Sequence, residues 1–414
     1  MSENNNNFDR LVDAILDGDA TQMANFVILH SLKVGASDIH IEPGEGNVRI
    51  RIRIDGVLHS LTEYQPSLHD AFIARIKIMS KLQTDEKRIP QDGVINTSLE
   101  GGGEVDLRVS TLPTVTGEKV CMRIQDKTKT IPTFKEMGIR ASGLHNLETA
   151  IKKPNGIVLV TGPTGSGKTT TLYSALSVLN QDGVNIMTVE DPVEIKMAGL
   201  NQCQVVEKIG YTFPIALRAA LRQDPNIIML GEIRDKETVE IALRAAMTGH
   251  LVLSTIHTNS AVSTINRLLD MGVKPFLIAG TVNAIQAQRL VRRICPNCIE
   301  KYTPDEHIIE DIKKELEGLP DSEGLDVSKL DSIVLSRGAG CEECNDTGFK
   351  GRMGIYEVLE VDREIEEMVV AGRGELSILK RAKEKGFVTM IQDGIIKAIA
   401  GFTTIEEIFN IVNT

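Results

Sequence analysis

The stretch Gly162-Pro163-Thr164-Gly165-Ser166-Gly167-Lys168-Thr169 decides the fold of this chain. It matches the pattern G-x-x-x-x-G-K-[ST], which is the phosphate-binding P-loop. The apolar run from Gly156 to Val160 precedes it and predicts a strand, and the proline-free run from Thr169 to Leu179 predicts a helix. A strand, a glycine-rich loop and a helix in this order indicate an α/β domain that binds a nucleoside triphosphate.

The chemistry of this loop suits the phosphate groups of ATP. Its glycines allow consecutive backbone N–H groups to point into one concavity, and the N-terminus of the following helix adds positive potential there. The side chain of Lys168 can reach the β- and γ-phosphates, and the hydroxyl of Thr169 can bind Mg²⁺. The alternative is a glycine-rich turn that matches by chance. We predict that ATP is bound by Gly162, Pro163, Thr164, Gly165, Ser166, Gly167, Lys168, Thr169 and Thr170.

Acidic residues follow two apolar strands of the same region. Glu232 comes after one of them, with Gly231 in the place where the usual Walker B strand ends in Asp, and Glu190 and Glu194 come after the other. Carboxylates at strand ends beside a P-loop hold Mg²⁺ and orient the attacking water. We predict that Glu232 binds Mg²⁺ with Thr169, and that Glu194 is the general base with Glu190 as the fallback. Solvated acidic loops are the alternative.

One histidine and five arginines are further candidates for phosphate contacts. His250 and His257 stand at the two ends of a short apolar strand, and the position of His257 suits a sensor of the γ-phosphate. The alternative for His257 is a satisfied core histidine. A phosphoryl-transfer site needs cationic groups on the developing charge. The pattern alone does not say which arginine supplies them: Arg108, Arg123, Arg218, Arg222 or Arg234.

Four of the six cysteines form two C-x-x-C pairs, Cys295 with Cys298 and Cys341 with Cys344. In a cytosolic chain such pairs favour zinc over disulfides, so we predict a structural site with four thiolate ligands. A redox pair or vestigial cysteines are the alternatives. The long segment between the pairs must loop out or fold by itself, and it contains an acidic run, Ile308 to Leu316, that predicts a helix.

Composition bounds the class of protein and its partners. The chain has 414 residues and a net charge of −11, with no Trp and five Tyr, which argues against a nucleic-acid binder. No apolar run is long enough to span a bilayer, and no signal peptide is recognisable at the N-terminus. We therefore predict a cytoplasmic protein with no direct nucleic-acid binding and with membrane association through partners only.

The pattern of hydrophobic residues divides the chain into regions. Strict alternation from Val48 to Ile54 predicts a half-buried antiparallel strand in a small α+β domain. Strand–helix alternation from about Leu144 to Leu290 predicts a parallel sheet with crossover helices. The predicted division is a disordered tail (1–20), an α+β domain (21–125), a linker (126–143), an ATPase core (144–290), a cysteine-containing subdomain (291–360) and a helical region (361–414).

Together these segments resemble the secretion ATPase superfamily, and specifically the ATPases of type II secretion and type IV pilus assembly. The resemblance runs from about Ala36 to the C-terminus and is far more specific than a lone P-loop. The segments that carry it, besides the P-loop and the cysteine pairs, are 35–43, 107–113, 189–194, 231–235 and 248–259.

This resemblance implies a homohexameric ATPase in which a PAS-like N-terminal domain closes over a nucleotide held by a RecA-like domain. It also implies that residues 189–194 are the aspartate box, residues 231–235 the Walker B motif and residues 248–259 the histidine box. Arg108 and Arg123 match arginines of the N-terminal domain that meet the γ-phosphate. The expected partner is an inner-membrane platform protein, which the ATPase moves so that pilin or pseudopilin subunits are added.

Three alternatives to an assembly ATPase follow from the sequence. A pilus retraction ATPase generally lacks the cysteine pairs, and a RecA-like DNA translocase fits poorly with the acidic charge. A nucleotide switch that does not hydrolyse ATP is disfavoured by the two strand-end acids.

Members of the family often carry a further docking domain, whereas about twenty residues precede Thr21 here, so a short form or a truncated chain is expected.

Overall fold

The structure is a computed structural model that describes residues 4–98, 104–126 and 130–412. The chain divides into two compact units, an N-terminal unit of residues 1–130 and a C-terminal unit of residues 131–414. Residues 127–129 of the predicted linker lie outside the described residues. No helix in the three described ranges is long and apolar enough to cross a membrane.

The N-terminal unit is a six-stranded antiparallel sheet with helices packed on it, in the strand order β3-β2-β1-β6-β5-β4. Ile50 and Ile52 of the alternating stretch are buried in its core, as that alternation predicted. The elements are α1 (Asn4–Asp17), α2 (Ala20–Lys33), β1 (Asp38–Pro43), β2 (Val48–Ile54), β3 (Val57–Tyr64), α3 (His69–Met79), β4 (Gln91–Ser98), β5 (Glu104–Thr114) and β6 (Gly117–Asp126).

Helix α1 occupies most of the segment in which the sequence predicted a disordered tail. Leu11 and Ala14 of this helix are buried in the core of the N-terminal unit, and the ring of Phe8 lies 5.7 Å from the ring of His30 on α2. The apolar residues recur at helical spacing, which gives α1 a face that packs on α2. The asparagine run hid that spacing, so the expectation of disorder was wrong for the described residues 4–20, and residues 1–3 lie outside them.

The C-terminal unit is built on a seven-stranded sheet in the order β15-β12-β7-β11-β10-β8-β9, with β13 and β14 paired separately. Every neighbouring pair in the large sheet is parallel except β12 with β15. Its strands are β7 (Gly156–Thr161), β8 (Ile186–Glu190), β9 (Leu200–Gln204), β10 (Ile227–Leu230), β11 (Leu251–Ile256), β12 (Val282–Ile294) and β15 (Phe349–Glu360), and the pair apart is β13 (Ile299–Tyr302) and β14 (Leu335–Gly338).

Every residue of β7, β8, β10 and β11 is buried, because helices cover both faces of this sheet. The predicted α/β fold with a parallel sheet is confirmed. The helices are α4 (Ala141–Ile151), α5 (Lys168–Leu179), α6 (Phe213–Ala220), α7 (Lys236–Met247), α8 (Ala261–Asp270), α9 (Pro275–Ala279), α10 (Glu306–Glu315), α11 (Arg363–Val370), α12 (Glu375–Glu384), α13 (Met390–Ile399) and α14 (Ile405–Val412).

The predicted boundaries of the cysteine-containing subdomain differ from the observed architecture. Strands β12 and β15, which overlap the two ends of residues 291–360, pair with each other, and β12 also pairs with the P-loop strand β7. The segment between them therefore returns to the main sheet, and residues 131–414 form one compact unit. Pairing between strands that are distant in the chain is what decides this boundary, and local patterns do not report it.

Candidate functional site

The P-loop joins the end of β7 to the start of α5. Gly162, Gly165 and Gly167 have φ angles of 146°, 80° and 89°, which residues with a Cβ rarely adopt. A Cβ on Gly162 would lie 2.3 Å from the backbone oxygen of Gln288, so no larger residue fits there. The glycines therefore allow the loop to fold tightly against β12 and to present its backbone at the N-terminus of α5.

The side chains of the P-loop are arranged to receive an anion. Lys168 donates hydrogen bonds from Nζ to the carbonyl oxygens of Gly162 (2.8 Å) and Pro163 (3.0 Å), which holds its ammonium over the loop. Burial lowers the pKa of Lys168, and the negative charge of Glu232 acts in the opposite direction. Ser166 Oγ is buried and has no hydrogen-bond partner within the described part of the chain. A half-buried cation beside a glycine-rich turn fits a phosphate group.

Gln288 on β12 fixes the position of the loop, although no local sequence motif marks this residue. Its Nε2 donates to the carbonyl oxygen of Ser166 at 2.7 Å, and its Oε1 accepts from Thr171 Oγ1 at 2.7 Å and from Gln286 Nε2 at 2.9 Å. Gln288 is 1% exposed. The available signal was the pair Gln286 and Gln288, at alternate positions among the apolar residues of 284–288. Buried amide side chains need hydrogen-bond partners, so two glutamines in a buried strand indicate contacts with a neighbouring segment.

Glu232 lies at the centre of a charged cluster at the carboxyl edge of the sheet. Its carboxylate pairs with the guanidinium of Arg234, and its Oε2 is 3.5 Å from Nε2 of His257. Arg234 also lies 3.8 Å from a carboxylate oxygen of Asp191, which follows β8. Parallel strands end at the same edge, so β8, β10 and β11 bring these residues together near Lys168.

The structure separates the two predicted base candidates by their surroundings. Glu190 is 2% exposed and accepts hydrogen bonds from Tyr173 (2.7 Å), Thr188 (2.7 Å) and Gln202 (3.4 Å). Burial raises the pKa of Glu190, and these hydrogen bonds act in the opposite direction. Glu194 is exposed, and its backbone N–H bonds to Glu190. The oxygens of Glu190 are thus engaged within the fold, whereas the side chain of Glu194 stands at the surface.

His250 and His257 occupy different surroundings at the two ends of β11. His250 donates from Nδ1 to the carbonyl oxygen of Ala245 at 3.0 Å, on the side of the sheet away from the P-loop edge. The side chain of His257 is 49% exposed and contacts Glu232. The alternative of a satisfied core histidine therefore does not describe His257, and its role as a γ-phosphate sensor stays a prediction.

The predicted arginines fall into separate groups. Arg218 on α6 pairs with Glu237, and Arg222, two residues beyond the end of α6, donates to the carbonyl oxygen of Arg218 at 2.9 Å. Arg108 and Arg123 belong to the N-terminal unit, where they face each other on β5 and β6.

Arg123 is held in place by Asp38 on β1. Its Nε donates to Asp38 Oδ1 at 3.0 Å, and Arg53 Nε lies 3.6 Å from Oδ2 of the same carboxylate. The register places Arg53, Asp38, Arg123 and Arg108 in one row across four neighbouring strands. This sheet face therefore carries a cationic row, anchored by one aspartate, that sequence spacing alone did not reveal.

A cavity of about 770 Å³ adjoins the P-loop within the C-terminal unit. The P-loop side of its wall includes Ser166, Gly167 and Thr170. Apolar side chains line it together with basic ones, and among them are Leu290, Met353, Phe402, Arg140, Arg293 and Arg352. Concave sites of this size with an apolar lining and a few polar groups are typical of small-molecule binding.

The four paired cysteines converge on one point. Their sulfur atoms all lie within 4.8 Å of one another, with 3.8 Å between Cys295 and Cys341, 3.9 Å between Cys298 and Cys344, and 3.6 Å between Cys341 and Cys344. Four thiolates around a zinc ion would be separated by about 3.8 Å. The backbone N–H groups of Cys341 and Gly348 donate to the sulfur of Cys344, at 3.2 Å and 3.3 Å. The donor set and its spacing fit a tetrahedral zinc site.

Comparison with known proteins identifies relatives over almost the whole chain. A family model described as "Type II/IV secretion system protein" matches residues 17–410. The type IV pilus assembly ATPase PilB of Myxococcus xanthus is 45% identical over 406 residues, which cover 98% of this chain and 70% of that protein. The type II secretion system ATPase E of Vibrio cholerae is 43% identical over 401 residues, which cover 97% of this chain and 77% of that protein.

Solved structures show the same fold. The ATPase DotB of Legionella pneumophila superposes with a TM-score of 0.67 at 22% identity, covering 94% of this chain and 95% of DotB. The pilus retraction motor PilT with bound ADP superposes with a TM-score of 0.61 at 26% identity, covering 93% of this chain and 95% of PilT.

Proposed function

The chain belongs to the type II/IV secretion system protein family, and we propose that it is an ATPase that powers assembly of a type II secretion pseudopilus or a type IV pilus. The observation that supports this proposal most is that Glu232 interacts electrostatically with the P-loop lysine, Lys168, in a chain whose relatives at 43–45% identity are named as ATPases of these systems. The reaction would be hydrolysis of ATP to ADP and phosphate.

The proposed roles follow from the geometry of the sheet edge. The P-loop and Lys168 would hold the β- and γ-phosphates. Thr169 and Glu232 would hold Mg²⁺, which neutralises charge between these phosphates. Glu194 is the better candidate for the general base, because it is exposed, whereas Glu190 is buried among Tyr173, Thr188 and Gln202. His257, in contact with Glu232, would report the state of the γ-phosphate.

The cavity beside the P-loop suits the rest of the nucleotide. A nucleotide with its phosphates on Ser166 and Gly167 would extend its ribose and base into this cavity, whose wall begins at the same residues. Leu290 and Met353 offer apolar surface for a base. We infer that this cavity receives the nucleoside part of ATP.

The N-terminal unit would supply the remaining positive charge. Arg108 and Arg123 form a cross-strand pair that matches the arginines expected at the γ-phosphate, and arginine is the usual cation at such a position. We propose that the protein works as a homohexamer at the inner face of the cytoplasmic membrane. Its membrane partner would be a platform protein, and the ATPase itself would contact the membrane through that partner only.

Replacing Arg123 with alanine should lower ATP turnover by about 100-fold or more, because a cation at the γ-phosphate stabilises charge that develops in the transition state. The hexamer should stay intact, as measured by analytical ultracentrifugation. Arg49→Ala is the matched control, since Arg49 is an exposed arginine on β2 outside the row. Equal turnover in Arg123→Ala and wild type would show that Arg123 does not take part in the reaction.

The wild-type turnover per chain should also rise with protein concentration as rings assemble.

Zinc is the ion that we propose for the four cysteines. Elemental analysis should find about one zinc per chain, and Cys341→Ser should lower the melting temperature by about 5 °C or more, because loss of a ligand uncouples metal binding from folding. Nucleotide affinity should change less than stability. Cys121→Ser, at a half-buried cysteine outside the cluster, should leave both unchanged. A metal-free protein of normal stability would refute the zinc proposal.

Retraction of a pilus is the second candidate function, because the pilus retraction motor PilT has the same fold. The four-cysteine cluster argues for assembly, since retraction ATPases are expected to lack it. The two functions differ in cells without the protein. An assembly ATPase leaves such cells without filaments or secretion, whereas a retraction ATPase leaves them with filaments that are not withdrawn.

A further inference from the structure

The segment between the two cysteine pairs, which we call the insert (residues 299–340), packs against the rest of the C-terminal unit. Its stem is the antiparallel pair β13 and β14, adjacent to Cys298 and Cys341. Its helix α10 confirms the helix that the acidic run predicted. Ile312, Leu316 and Leu330 are at most 1% exposed and belong to the same core cluster as residues of β12 and β15. The insert is therefore fixed in place by apolar packing.

A short turn of the insert places a buried acid against the start of α4. Glu323 is 4% exposed, and its Oε1 accepts hydrogen bonds from Ser142 Oγ at 2.6 Å and from Ser142 N at 3.2 Å. Arg140 stands at the N-cap position of α4 and makes no side-chain cap hydrogen bond. Glu323 thus supplies from a distant part of the chain the carboxylate that a helix N-terminus favours.

The same turn also holds a cationic side chain. Arg140 donates from a guanidinium nitrogen to the backbone oxygen of Glu323 at 2.7 Å. Both residues line the cavity that adjoins the P-loop, together with Gly324 and Leu325. One wall of that cavity therefore consists of the insert and of the arginine that the insert positions.

We propose that the insert is part of the nucleotide site, where its segment 323–325 closes the wall around the nucleoside of the bound nucleotide and so determines affinity for the base and ribose. This inference rests on the proposed function, because it takes ATP as the occupant of the cavity. Leu325 contributes apolar surface to the wall, and Glu323 acts as a positioning residue through Arg140 and the start of α4.

The phosphate end of the site depends on other contacts. Gln288 holds the P-loop through Ser166 and Thr171, and the Lys168 ammonium bonds to the loop itself. None of these hydrogen bonds involves the insert. A change in the insert should therefore weaken binding of the nucleoside part while leaving phosphate binding as it is.

Glu323→Ala should raise the Kd for Mg-ATP by about tenfold, because it leaves Ser142 without its acceptor and frees the wall to move. The Kd for Mg-pyrophosphate, which occupies only the P-loop, should stay within about twofold. Titration calorimetry on the full chain measures both. Glu323→Gln keeps an acceptor oxygen and should restore ATP affinity to within about threefold of wild type. Asp321→Ala is the matched control, since Asp321 is an exposed acid two residues away.

Leu325→Ala gives a second measurement that does not depend on the buried acid. It should raise the Kd for Mg-ATP by about threefold to fivefold, with pyrophosphate binding unchanged, because it removes apolar wall surface. Unchanged ATP affinity in both Glu323→Ala and Leu325→Ala would overturn this inference alone. An equal loss of ATP and pyrophosphate binding in both variants would also overturn it. A wild-type protein that binds neither ATP nor pyrophosphate would overturn the proposed function and this inference with it.

Discussion

Replacing Lys168 with alanine should abolish ATP turnover, with a loss of about 1,000-fold or more. The ammonium of Lys168 is half-buried, bonded to the loop carbonyls of Gly162 and Pro163, and close enough to Glu232 for their charges to interact. A fixed positive charge in a partly desolvated site stabilises the transferred phosphoryl group far more than a solvated one does. Phosphate release from purified protein, measured at saturating Mg-ATP, checks this result.

The control for Lys168→Ala is Lys152→Ala, which removes an exposed lysine just after α4 in the same unit. That control should keep wild-type turnover. Turnover of Lys168→Ala within about threefold of wild type would show that the loop does not carry the reaction. The P-loop assignment, and with it the proposed ATPase activity, would then be wrong.

Glu232→Gln should leave nucleotide bound but reduce hydrolysis by about 100-fold or more. Glutamine keeps the shape of the side chain and its hydrogen-bonding capacity toward Arg234 and His257, so the cluster should stay assembled. It removes the negative charge that Mg²⁺ and the attacking water need. Binding of a fluorescent ATP analogue and phosphate release, measured on the same sample, separate the two steps.

Glu237→Gln is the matched control for Glu232→Gln, because Glu237 pairs with Arg218 on the surface outside the cluster. Glu194→Gln should show the same separation of binding from hydrolysis as Glu232→Gln. If hydrolysis is normal in Glu194→Gln but lost in Glu190→Gln, the buried Glu190 is the base. Normal hydrolysis in Glu232→Gln would mean that its carboxylate is not required, and its role would pass to another residue.

The parts of the fold that the sequence predicted are those encoded by local pattern. The P-loop motif with its flanking strand and helix corresponds to β7 and α5. The apolar strands predicted before Glu190 and Glu232 correspond to β8 and β10, and the short strand predicted between His250 and His257 corresponds to β11. Apolar runs and helical spacing report such elements within one window of residues. The four cysteines were likewise recognisable as a cluster because each pair sits in a short turn.

The sequence missed features that arise from contacts between distant segments. β12 and β15 pair although they are far apart in the sequence, so no local pattern reports their pairing. Gln288 can bond to the P-loop only because β12 lies next to the P-loop strand. The pairing of Arg108 with Arg123 depends on the register of β5 and β6. Helix α1 was missed for a different reason, since its polar beginning concealed an apolar face.

The sequence by itself determined which chemistry is available to this protein, because the type and spacing of residues determine which groups can bind phosphate, Mg²⁺ or zinc. Only the tertiary structure decided which of those groups meet. Parallel strands end at one edge of a sheet, and this brings Glu232 and His257 to Lys168, whereas Glu190 turns into the fold. The packing of the insert beside the P-loop cavity follows from burial of its apolar residues. The hydrophobic effect that drives this burial is non-directional, so it depends on apolar residues from distant parts of the chain and not on a local motif.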